Sequence, residues 1–292
     1  MSIQLTYIML VVVSTFMSLW TRKISLINKN VFFTTGLLNY LIVAIVGVWL
    51  SLAYNNFSLP TLPSGNLPLY LVGVGFFIPL SWLAQYKLVY LVGAANGAIA
   101  TTISYITSAL FGFLFLAEGL TVTFGIGSIL LVTATYISLT IRADQKHKTT
   151  NKSRSLKIFL VLVSSLALAL GLLFEKHSVD VAGYWNYLFY GWTMQLLGAS
   201  VIWLIFGRKE LKQVNKRNVL YGLSLGLVVS LSGTTFVYAL SKGTLSATVM
   251  VTSAKITLTV VLAAVFLKER NELTKRLVAL ALAIVGLSFI LW

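Results

Sequence analysis

Lys255 is the residue whose type and setting most need a chemical reason. It stands about ten residues into the apolar run 245–267, where a cation is costly and usually faces a cavity or a partner. Thr248, Thr252, Lys255 and Thr259 recur at spacings of four, three and four, so they share one helix face. Threonine also serves as glue between membrane helices, so packing is a second reading of the stripe. The seven acids are Glu118, Asp144, Glu175, Asp180, Glu210, Glu269 and Glu272. None is predicted at mid-membrane, and Glu175, at the end of its run, comes nearest. A buried ammonium without a carboxylate must lose its proton, gather dipoles and water, or meet an anion. The chemistry expected of Lys255 is recognition of a carboxylate or similar anion. A structural lysine bonded to carbonyls and hydroxyls is the plainer alternative.

Other polar and aromatic groups fall at helical spacing too. Trp82, Tyr86 and Tyr90 are spaced by four, with Gln85 beside them. Thr101, Tyr105 and Ser108 form one row, and Ser230, Thr234, Tyr238 and Ser241 another. Tyr187, Tyr190 and Trp192 cluster above Gln195, while Ser14, Ser18 and Asn39 are further polar positions. Aromatics and hydroxyls around a solute provide shape and orientation. An interfacial belt accounts as well for Trp49, Tyr54, Tyr184, Trp185 and Trp292. The substrate-binding set expected from these patterns is Lys255, Tyr238, Tyr105, Trp82, Tyr86, Thr252, Ser104, Thr234 and Gln85. Lys87, near the end of its run, reads as a snorkelling anchor or gating residue.

The elements that must position these groups follow from composition. Of the 292 residues, 58% are hydrophobic and 10% charged, and mean hydropathy is +0.90. A soluble domain is about a quarter charged, so a soluble enzyme, a nucleic-acid binder and a secreted scaffold are excluded. Spanning helices are predicted at 3–20, 31–54, 68–90, 94–117, 121–141, 157–175, 184–207, 217–241, 245–267 and 273–292. Eighteen of the 22 Lys and Arg fall in odd-numbered loops. Those loops are therefore predicted to be cytoplasmic, with both termini extracytoplasmic. The +15 net charge reads as a record of topology, not of a nucleic-acid partner. The expected location is the cytoplasmic membrane, with lipid as a partner.

The polar stretch 142–156 divides the chain into 1–141 and 157–292, five helices each. An odd number per half inverts one half relative to the other. Placing Glu118 over Glu269 gives an offset of 151 and pairs Ser104 with Lys255. Each acid closes the fourth helix of its half, in LAEG at 116–119 and LKER at 267–270, just before another helix. Near a helix N-terminus an acid is favourable. Glu118 and Glu269 are thus read as structural caps with a gating role as the second option.

In these features the sequence resembles the drug/metabolite transporter superfamily, specifically the ten-helix EamA-type permeases. Gly125, Gly127 and Gly286 fit as well. That family often has a proline early in the fourth helix of each half, roughly where Tyr105 and Ile256 stand here. The resemblance implies alternating-access transport of a small organic solute, commonly an amino acid or related metabolite.

The fold class expected is an all-α polytopic membrane protein with ten transmembrane helices in two inverted five-helix repeats. The chain has no cysteine, two histidines (His147 and His177), no nucleotide-phosphate loop and no HExxH. It is read as a secondary transporter, not an enzyme, with no cofactor or metal. The expected solute is an amino acid or other carboxylate-bearing metabolite. Proton coupling through lysine, solute exchange and facilitated diffusion are all open, but a proton antiporter built on a buried carboxylate is disfavoured. An organic-cation or drug transporter, and a non-transporting scaffold or partner subunit, are the competing readings. Oligomeric state does not follow from the sequence.

Overall fold

The computed structural model describes residues 3–60, 65–119, 121–140, 151–267 and 272–291. It is all helical. The elements are α1 (Ile3–Ile27), α2 (Phe32–Tyr54), α3 (Leu67–Val92), α4 (Ala94–Ala100), α5 (Thr102–Leu116) and α6 (Val122–Thr140). Then follow α7 (Asn151–Ala182), α8 (Tyr184–Ile202), α9 (Lys216–Lys242), α10 (Leu245–Ser253), α11 (Lys255–Phe266) and α12 (Leu273–Leu291). The pairs α4–α5 and α10–α11 each make one interrupted crossing, so the twelve helices form ten crossings. Eight crossings are long and apolar enough to span a membrane among the described residues. The other two, α6 and α12, pack along each other. Leu114, Val122, Ile129, Phe159 and Leu220 are among many large apolar side chains exposed on the outside. A bundle satisfies its backbone internally and can leave that surface to lipid.

Several expected boundaries are corrected. The first helix runs beyond residue 20 to Ile27, so Arg22 and Lys23 belong to it, not to a loop. Arg22 can be buried there because its guanidinium donates to the carbonyls of Val89 and Tyr90, at 3.0 and 2.8 Å. Those carbonyls close the C-terminal end of α3, where a cation is favoured. The sixth crossing, expected over 157–175, extends over Asn151–Ala182. Residues 151–156 of the expected linker are therefore helical, whereas 142–150 lie outside the described residues. Glu175 and Lys176 fall inside this helix, about 10 Å of axial rise before its end. The helix closes at Gly183, whose φ of 75° is open to glycine. Beyond Ile202 the backbone first widens, at Trp203–Gly207, and then tightens, at Arg208–Gln213.

The fourth and ninth crossings are interrupted without proline. Thr101 and Ala254 have φ/ψ of −68°/−12° and −59°/−20°, tighter than the helices on either side. At the first break the Thr101 hydroxyl takes the Ala98 carbonyl at 2.8 Å, and the Ser104 N–H takes that of Thr101 at 3.0 Å. At the second, the Ala254 N–H reaches Val251 at 3.1 Å. Shortened hydrogen bonds thus keep the backbone paired through both breaks.

The crossings pack in matched pairs. As α1 packs on α9, so α7 packs on α3; as α2 packs on α9, so α8 packs on α3. At the α3–α8 contact the Gly198 backbone sits against the Gly75 carbonyl. The elements α1, α2, α3, α7, α8 and α9 and the two interrupted crossings line a central space.

Candidate functional site

Lys255 is the first residue of α11, immediately after the break. Its position puts the side chain into a central cavity of about 180 Å³. Only 6% exposed, its ammonium lies 5.3 Å from the centre of the Tyr105 ring. That is the distance of a cation over an aromatic face. No carboxylate pairs with it among the described residues. The helix that carries it is held to α1 by a long hydrogen bond, 3.5 Å, from the Thr15 hydroxyl to its own carbonyl.

Other groups line the cavity with Lys255. Gln85 of α3 lines the space, its amide nitrogen resting on the Ser81 hydroxyl at 3.3 Å. Trp82 lies between Tyr40 and Tyr86, with ring centres 6.0 and 5.0 Å away. Thr252 lines the cavity also, but its hydroxyl donates back to the Thr248 carbonyl at 2.7 Å. A smaller space, about 40 Å³, continues past Trp82, Gln85 and Lys255 to Tyr86 and Val89. Lys255 thus borders both.

The same cavity holds a group that the sequence reading placed at a membrane edge. Glu175 of α7 lines it and is 4% exposed. Its Oε1 accepts the Tyr187 hydroxyl proton at 2.6 Å, and the Gln195 amide reaches that hydroxyl at 3.4 Å. Tyr187 and Gln195 come from α8. The expectation that Glu175 lies at the end of its run, with no acid near mid-membrane, is corrected to this extent: Glu175 stands inside α7 and lines the central cavity. The cause is the length of α7, which continues seven residues past the acid. A signal was present in the sequence: Leu168, Leu172 and Glu175, spaced by four and three, all line the cavity.

Among the expected residues, Lys255, Tyr105, Trp82, Gln85 and Thr252 are brought to the main cavity, and Tyr86 to the smaller one. The remainder lie elsewhere. Ser104 is fully buried against α7, its hydroxyl 3.1 Å from that of Ser165. Thr234 donates to the Leu231 carbonyl, and Tyr238 meets Tyr184 edge to face at 5.4 Å. Lys87 lies over the rings of Phe32 and Tyr90, at 5.6 and 5.5 Å.

Glu118 acts at a distance in sequence. Its carboxylate accepts the backbone N–H groups of Leu245 and Ser246 at 3.0 and 3.1 Å, at the start of α10. It therefore caps a helix of the other half, and α6, the next helix, is capped by the Thr121 hydroxyl on Phe124 N–H. Glu210 does the same in the other direction. It takes the N–H groups of Phe33 and Thr34 at 3.1 and 2.8 Å, at the start of α2. Glu269 lies outside the described residues.

The cavity offers one cation, one acid, amides and aromatic faces. No cluster of groups suited to a metal occurs among the described residues. Among the described residues that line it, none pairs a nucleophile with a base.

Residues 155–292 match the family described as EamA-like transporter family. No curated protein matches the chain in sequence. A solved structure titled "Crystal structure of protein" has 15% identity and a TM-score of 0.69, over 99% of this chain and 96% of that one. That likeness shows the fold. Together these findings show an all-α polytopic membrane protein whose residues 155–292 are similar to the EamA-like transporter family.

Proposed function

We propose that the protein is a secondary transporter for amino acids, loading the zwitterion between Lys255 and Glu175. The observation that carries this reading is that both residues line one cavity without pairing with each other. A carboxylate fits the ammonium over Tyr105, and an α-ammonium fits the acid on Tyr187. The cavity volume supports a small solute, since drug-sized ligands occupy roughly 300–1,000 Å³. Glu175 alone favours the organic-cation reading, but Lys255 in the same space opposes it by charge.

Alternating access would come from two inverted five-helix units, 1–141 and 157–292. Two hydrogen-bond pairs recur across them and support this. Ser14 meets Ser232 at 3.1 Å, and Ser81 meets the Ser164 carbonyl at 3.2 Å. Thr15 reaches Lys255, and Ser165 reaches Ser104. The sequence offsets are 150 for Ser14–Ser164 and Thr15–Ser165, and 151 for Ser81–Ser232 and Ser104–Lys255. Corresponding residue pairs thus meet in the two halves, though one bond of each pair is hydroxyl to hydroxyl and the other hydroxyl to carbonyl, and a lysine in one half stands against a serine in the other. By charge placement, the odd loops face the cytoplasm.

The test is counterflow in proteoliposomes with amino acids, organic anions and quaternary amines. Saturable exchange of neutral amino acids is expected, with affinity lost in Lys255→Ala. Exchange confined to quaternary amines, or affinity unchanged in Lys255→Ala, would overturn the assignment.

A further inference from the structure

This inference rests on the zwitterion reading. It concerns what occupies Glu175 when no solute is bound. A carboxylate taken out of water costs several kcal/mol unless a cation or a proton accompanies it. Glu175 has one hydrogen bond donor, Tyr187, and among the described residues it has no ion-pair partner.

The charged and titratable groups around it are otherwise engaged. On α7 itself, Lys176 donates to Asp180 at 2.8 Å and to the Leu240 carbonyl at 3.2 Å. His177 stacks on Tyr70 of α3, ring centres 5.0 Å apart. From α2 comes Tyr40, from α5 Tyr105, from α8 Tyr187, and none of these is a cation. What α3 and α10 present to the cavity is uncharged: Ser81 and Gln85, and Thr252. On α9 the lining residues are Ser232 and apolar side chains, and α6 contributes none. Lys255 is the one cation among the residues lining the cavity, and in the empty chamber it lies over the Tyr105 ring without an ion pair to Glu175.

We propose that Glu175 is an exchange site at which a proton and the ammonium group of the solute replace one another. In the empty chamber the carboxyl group holds the proton. On loading, the carboxyl O–H bond breaks and the proton passes to cavity water. The carboxylate left behind takes the ammonium, still oriented by Tyr187. One proton leaves for each zwitterion bound, and unloading reverses the step. A solute without the ammonium group occupies Lys255 and displaces nothing from Glu175. This couples solute movement to a proton gradient through a group other than lysine.

The experiment uses the whole chain in proteoliposomes with a trapped pH dye. The probes are L-alanine, L-leucine and, lacking the ammonium, L-lactate. With L-alanine or L-leucine, proton release on loading is expected. Apparent affinity should fall by up to about tenfold per pH unit as pH drops through the range where Glu175 is protonated. L-lactate should bind through Lys255 with no proton release. Glu175→Gln should bind the amino acids more weakly, with affinity independent of pH and no proton signal. The comparison of L-alanine with L-lactate needs only the wild-type chain, so a Glu175→Gln variant that fails to fold does not remove the test. Amino-acid binding that depends on Lys255 but moves no proton would overturn the exchange role and leave the zwitterion reading standing. Proton release that persists in Glu175→Gln would overturn it likewise. Absence of saturable binding by any of the three probes would strike the zwitterion reading itself, and the exchange role with it.

Discussion

Glu118 and Leu245 stand 127 positions apart, yet the Glu118 carboxylate accepts the Leu245 backbone N–H at 3.0 Å. The acid closes one interrupted crossing and caps the start of the other. With Glu210 on the start of α2, each end of the bundle has a carboxylate from one half holding a helix of the other. Chain direction puts the two at opposite ends, because α10 and α2 begin on opposite sides of the bundle. Gly112 makes the first contact possible, since a Cβ there would press on the Glu118 carboxylate.

Glu118→Ala is expected to cost about 1–2 kcal/mol, the usual loss for a helix cap. Glu118→Gln, which keeps an acceptor but not the charge, should lose less. Thermal unfolding in detergent checks this by the order wild type, Gln, Ala. Equal melting of all three would mean that water replaces the carboxylate at no cost.

The Glu210→Ala change removes acceptors from Phe33 N–H, Thr34 N–H and the Thr34 hydroxyl. Its cost should match or exceed that of Glu118→Ala. Because the two caps share no partner, the double variant should be additive within about 0.5 kcal/mol. A larger coupling would reveal that the two ends communicate.

Gly198→Ala should be among the most damaging of small changes. Its Cβ would collide with the Gly75 carbonyl oxygen, which is backbone and cannot rotate away. Overpacking of this kind costs about 1–3 kcal/mol or more. Gly125→Ala meets nothing within 4 Å and is the control. Loss of a monodisperse peak for Gly198→Ala, but not for Gly125→Ala, is the expected size-exclusion result.

Cavity positions can be read directly, because the chain has no cysteine of its own. Single cysteines at Gln85 and Thr252 should react with an aqueous thiol reagent, and L-alanine should protect them. A cysteine at Ser104 should react slowly, since that site is sealed against Ser165. Fast, protectable labelling at Ser104 would move the chamber toward α7.

Topology is open to a reporter. Fusions at the C-terminus should be active only as extracytoplasmic reporters, because the basic loops hold the opposite side. Cytoplasmic activity there would reverse every sidedness assignment above.

The sequence alone determined the membrane class, the ten crossings and Lys255 as the exceptional charge. These follow from local physics: hydropathy over one helix length, and the cost of a cation in an apolar run. Helix ends were less legible where tertiary partners decide them. Arg22 is helical and buried with its guanidinium on carbonyls at the end of α3. Glu175 became an interior acid only because α7 runs on to Gly183 and α8 returns Tyr187 to meet it. Ser104 and Lys255 are paired by the proposed repeat, but the bond to Ser165 seals one while the other follows the break before α11 and lines the cavity. Periodicity specifies which face a residue occupies. Which helix covers that face depends on packing between segments more than a hundred residues apart, and that the tertiary structure decided.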